Sequence, residues 1–415
     1  MAEHSRHRKR SVSEKSPHTE WEERNDTSMK YDFDTLVKRR PANLKQNAIP
    51  PEVLAAGNVS FDGAEPDFPT APVIRDAVRA LAENGLYGFT LCDDTYRERV
   101  CWWMEHSRSV KIRPEWVVPT LGTIYSVATA IRLCCGEGEG VILAPPVYNR
   151  YAQAARRLER RVVECPMQLR DGRYHMDFDA LEEAMRDPSN RLFVFCNPHN
   201  PSGQIWSMEE LARIAGLAEQ YDVTVFSDEI FADNCYGGRR CPCYLEVPGA
   251  AARGIAAVSL GKSFHFTGVN HANILIADED LRARFTDRRT RDHYGSIDPL
   301  AYECVLAAYT PEGLDWLRAS NDYVEKNMHL IREFFREQLP EVPVYGGEGG
   351  YILWMDWRAR FESEESLTDF LYRRAFFHVD VGSSYGAERF TRMCAASPRR
   401  CIAQALVTLR RALEQ

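Results

Sequence analysis

The chain has 415 residues, of which 44% are apolar and 27% are charged, and this length allows two domains or one large α/β unit. Its 52 lysines and arginines against 60 acidic residues give a formal net charge of −8, which argues against a protein that grips nucleic acid along its surface. No apolar run reaches the roughly 18–20 residues of a membrane span, and no signal-peptide pattern precedes the rest, so we expect a cytoplasmic protein without a membrane partner.

Residues 1–30 are polar, carry charges of both signs and show no apolar periodicity. A segment of this composition cannot bury enough apolar surface to offset the chain entropy that folding removes. We therefore predict a disordered tail at residues 1–30. A basic cluster at residues 6–10 leaves a localisation or phosphate-binding signal as the alternative, although several glutamates follow it closely.

From Phe61 onward, short apolar runs alternate with amphipathic stretches. The apolar runs predict strands at residues 116–118, 140–144, 161–164, 192–196, 224–227, 255–259 and 272–276. The amphipathic stretches between them predict helices at residues 125–133, 178–185 and 207–220. Strands that are apolar on both faces and alternate with helices are typical of a mostly parallel sheet covered by helices. The pattern therefore predicts a doubly wound α/β domain.

The pattern changes after about Tyr309. A predicted helix at residues 314–338 leads into a β-rich stretch at 342–357, and a last predicted helix covers residues 399–413. Strands and helices no longer alternate in this part of the chain. The change predicts a second, smaller α+β domain.

The 12 cysteines include two close pairs, Cys134–Cys135 and Cys241–Cys243, and neither pair has a second pair at zinc-ligand spacing. Most of the other cysteines lie inside apolar stretches. We therefore predict reduced, buried thiols and no metal site. A redox-active or metal-binding role for Cys241 and Cys243 stays open.

Three polar residues lie at or shortly after the ends of predicted strands. Asn200 lies in a turn that contains two Asn-Pro steps and a glycine, Asp228 ends an apolar strand, and Lys262 is flanked by small and aromatic residues. Open α/β sheets bind ligands at the carboxyl ends of their strands. Burial there would lower the pKa of the lysine and let its amine act as nucleophile and base. A turn, a helix cap or a surface lysine would explain each residue singly, but not all three together.

The motifs that contain these residues resemble those of the fold-type I, PLP-dependent aminotransferase superfamily (class I/II), where PLP is pyridoxal 5′-phosphate. They read Asn-Pro-His-Asn-Pro-Ser-Gly from Asn197, Ser-Asp-Glu-Ile from Ser227 and Ser-Leu-Gly-Lys from Ser259, and the resemblance runs from about Tyr31. Within this superfamily, three stretches are most similar to the MalY/PatB type of cystathionine β-lyase, or C–S lyase. These are residues 68–72, 197–206 and 351–356.

The resemblance implies the PLP-dependent transferase fold of type I and a homodimer whose two active sites share residues across the interface. It implies a large PLP-binding domain at residues 76–308 and a small C-terminal domain at residues 309–415. An N-terminal segment at residues 31–75 would join the small domain, and part of it would lie over the active site.

The resemblance also implies roles around the cofactor ring. Lys262 would bind PLP covalently and later carry the α-proton of the substrate. Asp228 would pair with the protonated ring nitrogen, since an opposite charge nearby shifts a pKa by about 1–3 units. Asn200 would donate a hydrogen bond to the phenolic oxygen of the ring, and Tyr148 would stack on its face.

Further implied roles concern the phosphate and the substrate. Gly122 and Thr123 would offer backbone amides to the phosphate, because the N-terminus of a helix binds anions. Ser259 would add its hydroxyl to the same phosphate. Arg392 would bind the α-carboxylate of an amino-acid substrate as a bidentate fork.

Three positions depart from the pattern of the superfamily. Phe231 and Phe89 stand where relatives often have polar rings, although Tyr87 lies close to Phe89, and Asn270 stands where ordinary aminotransferases have a phosphate-binding arginine. The C–S lyase branch also lacks that arginine. We expect a specialised tailoring enzyme of secondary metabolism, such as antibiotic biosynthesis.

The resemblance predicts β-elimination from a cysteine S-conjugate, with release of a thiol, pyruvate and ammonia. Two alternatives use the same scaffold: an aminotransferase, or a decarboxylating oxidative deaminase acting on an amino-acid conjugate. Membership of a superfamily does not decide between them. An alternative of another class is a regulatory protein that has kept the fold and lost turnover.

Overall fold

The computed structural model describes residues 30–414, so the predicted tail, apart from Lys30, and the basic cluster at residues 6–10 lie outside the described residues. The α-helices are α1 (Leu44–Ala48), α2 (Pro51–Ala55), α3 (Pro72–Asn84), α4 (Asp94–Arg108), α5 (Thr123–Cys134), α6 (Arg150–Arg157), α7 (Phe178–Arg186), α8 (Met208–Gln220), α9 (Leu260–Ser263), α10 (Glu279–Arg291), α11 (Pro299–Ala308), α12 (Pro311–Gln338), α13 (Glu364–Asp369) and α14 (Arg399–Leu413). A π-helical turn, Phe370–Arg374, follows α13. Within residues 30–414, every helix is too short or too polar to cross a membrane.

Two larger sheets and a hairpin contain the strands. The strands are β1 (Val117–Thr120), β2 (Gly140–Leu143), β3 (Arg161–Glu164), β4 (Gln168–Arg170), β5 (Arg173–His175), β6 (Asn190–Cys196), β7 (Thr224–Asp228), β8 (Gly254–Val258), β9 (Ala272–Leu275), β10 (Val344–Gly346), β11 (Ile352–Asp356), β12 (Asp380–Val381) and β13 (Phe390–Cys394). The seven predicted strands between residues 116 and 276 are confirmed as β1, β2, β3, β6, β7, β8 and β9.

The seven-stranded sheet has the order β1-β9-β8-β7-β6-β2-β3. Strand β9 runs antiparallel to both of its neighbours, and the other neighbouring pairs are parallel. Successive residues of the central strands enter different apolar clusters, as Val225 and Phe226 do on the two faces of β7. The sheet is therefore covered by helices on both faces, and the predicted α/β fold with a mostly parallel sheet is confirmed.

The four-stranded sheet has the order β10-β11-β13-β12 and is antiparallel throughout. The chain near its N-terminal end joins this sheet: Phe61 donates its N–H to His378 and accepts from the N–H of Cys394, at 2.9 and 2.7 Å. From Phe33 onward the described chain forms one compact unit that contains both sheets. The domain boundaries at residues 75/76 and 308/309 stay predictions.

The direction of the strands brings the chemical motifs to one edge. Strands β6, β7 and β8 are parallel, so their carboxyl ends lie side by side. Because β9 is antiparallel to both β8 and β1, β1 ends at the same edge. Parallel sheets bind ligands at this edge, where loops and helix N-termini meet.

Candidate active site

The structure brings Asn200, Asp228 and Lys262 to the carboxyl edge of the large sheet. Asp228 is the last residue of β7 and is the register partner of Cys196, the last residue of β6. Asn200 follows Cys196 in the next turn, and Lys262 lies in α9, directly after β8. The side chains that the sequence predicts for one site therefore come from neighbouring strands of one sheet.

Asp228 is a buried carboxylate whose hydrogen bonds come from uncharged donors. Its side chain accepts hydrogen bonds from the Tyr151 hydroxyl at 2.5 Å and from the Ile230 N–H at 3.2 Å. The residue is 5% exposed, and burial raises the pKa of its carboxyl group to about 6. It forms no ion pair with any residue that the structure describes. A ligand cation placed here would relieve the cost of burying the charge.

Lys262 holds its amine against the main chain of the N-terminal segment. Lys262 Nζ donates to the carbonyl oxygen of Ala64 at 2.9 Å and lies 5.5 Å from the centre of the Phe231 ring. Burial, together with the charge of Arg392, lowers the pKa of the amine to about 8. The neutral, nucleophilic form of the amine is therefore accessible near physiological pH.

The segment opposite Lys262 has an unusual backbone at Ala64, whose φ is +44°. Few residues other than glycine adopt this region. The Ala64 carbonyl accepts from Lys262 Nζ and also from the Tyr351 hydroxyl, at 3.2 Å. Strained backbone of this kind occurs often at functional sites, and here it directs a carbonyl oxygen towards the lysine amine.

Arg392 lies beside Asn200 and has an acidic neighbour. Arg392 Nη1 donates to Asn200 Oδ1 at 2.9 Å, and Nη2 donates to Asp380 Oδ2 at 2.6 Å. Burial opposes the positive charge, but the carboxylate of Asp380 outweighs it and raises the pKa of Arg392. Since the oxygen of the Asn200 amide faces the arginine, its NH2 group is left to donate to a ligand.

The predicted phosphate corner lies between the end of β1 and the start of α5. Gly122 precedes α5 with φ +105°, and no side chain caps the helix. A Cβ at Gly122 would lie 3.8 Å from the backbone N of His271. The first amides of α5, beginning at Thr123, are thus free to bind an anion. The Ser259 hydroxyl lies near Gly122, because both are close to the backbone of His271: Ser259 Oγ donates to the His271 carbonyl at 2.8 Å.

The aromatic side chains around these groups differ in their burial. Tyr148 is half-buried, and its ring meets that of Tyr151 edge-on, with the centroids 5.6 Å apart. Phe231 is buried against the Tyr351 ring at 5.3 Å. Phe89 is fully exposed. Sequence reasoning missed Tyr151, which lies in the first turn of α6, three residues after Tyr148.

The remaining candidate groups do not extend the site. Burial raises the pKa of the Cys241 and Cys243 thiols well above the usual value, which disfavours the reactive thiolate. Among residues 30–414, no group of three or more His, Cys, Asp or Glu side chains is arranged to hold a metal ion.

The residues of the site fit PLP in three separate ways. The buried Asp228 carboxylate forms no ion pair within residues 30–414, and a protonated ring nitrogen would supply one. The Lys262 amine has a lowered pKa, as attachment to a carbonyl carbon requires. The uncapped N-terminus of α5 offers amides for a phosphate. One ligand with these three groups would satisfy all three features.

Comparisons with known proteins agree with this fit. The family model described as aminotransferase class I and II matches residues 52–408. The chain is 31% identical over 335 residues to cystathionine beta-lyase PatB of Bacillus subtilis (strain 168), covering 80% of this chain and 86% of the relative. It is 27% identical over 376 residues to Protein MalY of Escherichia coli (strain K12), covering 89% and 95%. The structure of cystalysin from Treponema denticola, which contains PLP, superposes with a TM-score of 0.87 at 28% identity and covers 93% of this chain and 99% of that one.

Proposed function

Because the chain belongs to the aminotransferase class I and II family of PLP-dependent enzymes, we propose that it is a C–S lyase acting on a cysteine S-conjugate. The substrate and one water molecule would yield a thiol, pyruvate and ammonium. The C–S bond at Cβ breaks, the sulfur leaves with the bonding electron pair, and water replaces the nitrogen at Cα. The observation that carries the proposal is the similarity to PatB at 31% identity, together with a site that retains Lys262 and Asp228.

Lys262 is the proposed base. Burial and the charge of Arg392 lower its pKa to about 8, and a lowered pKa suits a lysine that takes a proton from Cα. Bound PLP supplies an electron sink for the charge that this proton transfer leaves behind. Asp228 keeps the nitrogen of the ring protonated, and Tyr151 holds the Asp228 carboxylate in place.

Arg392 and Asn200 are the proposed groups that orient the substrate and the ring. Arg392 binds the α-carboxylate of the substrate, and the NH2 group of Asn200 donates to the phenolic oxygen of the cofactor. The hydrogen bond between Arg392 Nη1 and Asn200 Oδ1 supports this assignment, because it fixes the direction of both groups. The phosphate is proposed to bind at Gly122, Thr123 and Ser259, and Tyr148 to stack on the ring.

The activity is tested by product analysis of the purified protein with PLP. We expect equal amounts of thiol and pyruvate from L-cystathionine or from a panel of S-alkyl and S-glycosyl cysteines. Mass spectrometry identifies the organic product. A keto acid with an intact side chain would contradict elimination and indicate transamination, loss of CO2 would indicate the decarboxylating deaminase, and a colourless protein without turnover would indicate a regulatory role.

We also propose that two copies of the chain form a homodimer through an exposed apolar segment between α3 and α4. Leu86, Tyr87, Phe89 and Leu91 in this segment are each more than half exposed, and Phe89 is fully exposed. Contiguous exposed apolar side chains are typical of interaction sites. A second copy is the expected occupant, because the resemblance to the superfamily implies a homodimer whose active sites share residues across the interface.

Substitution in this segment should dissociate the dimer. We expect the double variant Phe89→Asp, Leu91→Asp to elute with the mass of one chain in size-exclusion chromatography with light scattering, because two charges cannot be buried unpaired. Met208→Asp, which changes an exposed apolar residue at the start of α8, is the matched control and should stay dimeric. A dimeric double variant, or a monomeric wild type, would refute this interface.

The role in secondary metabolism stays a prediction. Its support is the pair of departures at Phe89 and Phe231, where relatives often have polar rings. The substrate panel bears on it, since a preference for a bulky S-conjugate over L-cystathionine would favour a tailoring enzyme.

A further inference from the structure

The side chain of Arg392 is paired with the carboxylate of Asp380, a residue that the sequence analysis did not single out. Arg392 Nη2 and Nε both donate to Asp380 Oδ2, at 2.6 and 3.1 Å. The two residues are register partners in β12 and β13. The side chain of Arg392 is 4% exposed and that of Asp380 is 21% exposed, so water and salt screen this ion pair much less than a surface pair.

The remaining N–H groups of Arg392 show where a ligand can bind. A guanidinium has five N–H donors. Asp380 takes the Nε–H and one N–H of Nη2, and Asn200 takes one N–H of Nη1. One N–H is left on each terminal nitrogen, while the Tyr385 ring lies against the guanidinium, 4.9 Å from its centre. These two N–H groups, one on Nη1 and one on Nη2, are the donors that Arg392 retains for a carboxylate.

Asp380 also holds the segment that contacts the lysine. The same oxygen, Oδ2, accepts the N–H of Gly63 at 3.0 Å. The next residue, Ala64, accepts from Lys262 Nζ at 2.9 Å. Asp380 Oδ2 thus accepts hydrogen bonds both from Arg392 and from the main chain next to Ala64, whose carbonyl contacts the Lys262 amine.

We propose that Asp380 is a positioning residue for substrate recognition, which holds Arg392 by its Nε edge so that Nη1 and Nη2 receive the α-carboxylate of an amino-acid substrate. This inference rests on the proposed function for the role of Arg392, and it applies to any reaction on an α-amino acid. It requires an acceptor oxygen at position 380, because the hydrogen bonds to that oxygen fix the direction of the fork.

The test compares two ligands that cannot undergo β-elimination, L-alanine and ethylamine. They differ by the α-carboxylate, and the amine of each changes the absorbance of the holoenzyme when it binds. The dissociation constant for ethylamine divided by that for L-alanine therefore measures carboxylate recognition alone. We expect Asp380→Ala to lower this ratio about 10-fold or more, since hydrogen bonds to charged groups have effects of this size. Asp380→Asn, which keeps an acceptor oxygen, should stay within about 3-fold of the wild type.

A matched control is available in the same sheet. Asp356→Ala removes the ion pair with Arg358 and leaves Arg392 untouched, so its ratio should equal that of the wild type. PLP content and ethylamine binding show whether each variant is folded. Should Asp380→Ala fail this check, Asp380→Val removes the same acceptor with a side chain that suits a strand.

An unchanged ratio in the variant that lacks the acceptor would overturn the proposal, because Asp380 would then have no effect on carboxylate binding. A larger ratio would also overturn it, because Asp380 would then compete with the substrate carboxylate for Arg392. A loss in Asp380→Asn as large as in Asp380→Ala would also overturn it. Failure of the proposed elimination is seen separately, as a wild-type protein that binds L-alanine but releases no pyruvate from cysteine conjugates.

Discussion

Lys262→Ala is expected to abolish turnover and the covalent attachment of PLP. The variant loses the amine that we propose takes the Cα proton, and a positioned acid or base contributes about 10²–10⁴-fold to a rate. Loss of the covalent bond should come in addition, so we expect a fall in pyruvate release of at least about 10³-fold. Added PLP should then dialyse away, and the absorbance of the lysine-bound cofactor should be absent.

The control for this variant is Lys111→Ala, since Lys111 is exposed and its ion pair with Glu105, at 3.6 Å, lies at the surface. It should retain wild-type turnover and absorbance. Retention of substantial turnover by Lys262→Ala would mean that another group is the base.

Asp228→Asn is expected to lower turnover about 10- to 10³-fold. An opposite charge shifts a pKa by about 1–3 units, which corresponds to about 1.4–4 kcal/mol of preference for the protonated ring. The amide keeps the shape of the side chain and removes the charge. In the protein without a ligand, burial raises the pKa of Asp228 to about 6, so a cationic partner should lower it and the carboxylate should persist to lower pH.

The matched control is a second aspartate, close to the other end of β7. Asp222 lies just before the start of β7, is exposed, and pairs with Arg191 and Arg253. Because surface substitutions usually change stability by less than about 0.5 kcal/mol, Asp222→Asn should leave both PLP affinity and turnover unchanged. Equal turnover of Asp228→Asn and the wild type, measured at saturating PLP, would contradict the proposed pairing with the ring.

Much of the fold could be predicted from local pattern because the central strands are short, apolar on both faces and separated by helices. The two faces of β7, with Val225 in one cluster and Phe226 in the other, show why its pattern is continuous rather than alternating. Helix α10 was missed because its sequence is mostly charged, and only Leu281, Phe285 and Arg289 are buried. The antiparallel direction of β9 could not be predicted either, since an apolar run carries no information on strand direction.

The sequence could predict those site residues that lie at or just after the end of a strand. Asn200, Asp228 and Lys262 could be grouped because parallel strands end at one edge. Tyr151, Ala64 and Asp380 could not, since their roles depend on contacts between distant parts of the chain. The link from Asp380 to Gly63 spans more than 300 positions, and neither residue type is unusual in its local sequence.

Borohydride reduction of the holoenzyme, followed by peptide mapping, tests the central claim most directly. Reduction makes the bond between a lysine and PLP permanent and so marks the lysine that holds the cofactor. We predict a single pyridoxyl-labelled tryptic peptide that covers residues 254–282 and remains uncleaved after Lys262, because the labelled lysine no longer suits trypsin. Label on a different lysine, or no labelled peptide from a yellow protein, would contradict the account.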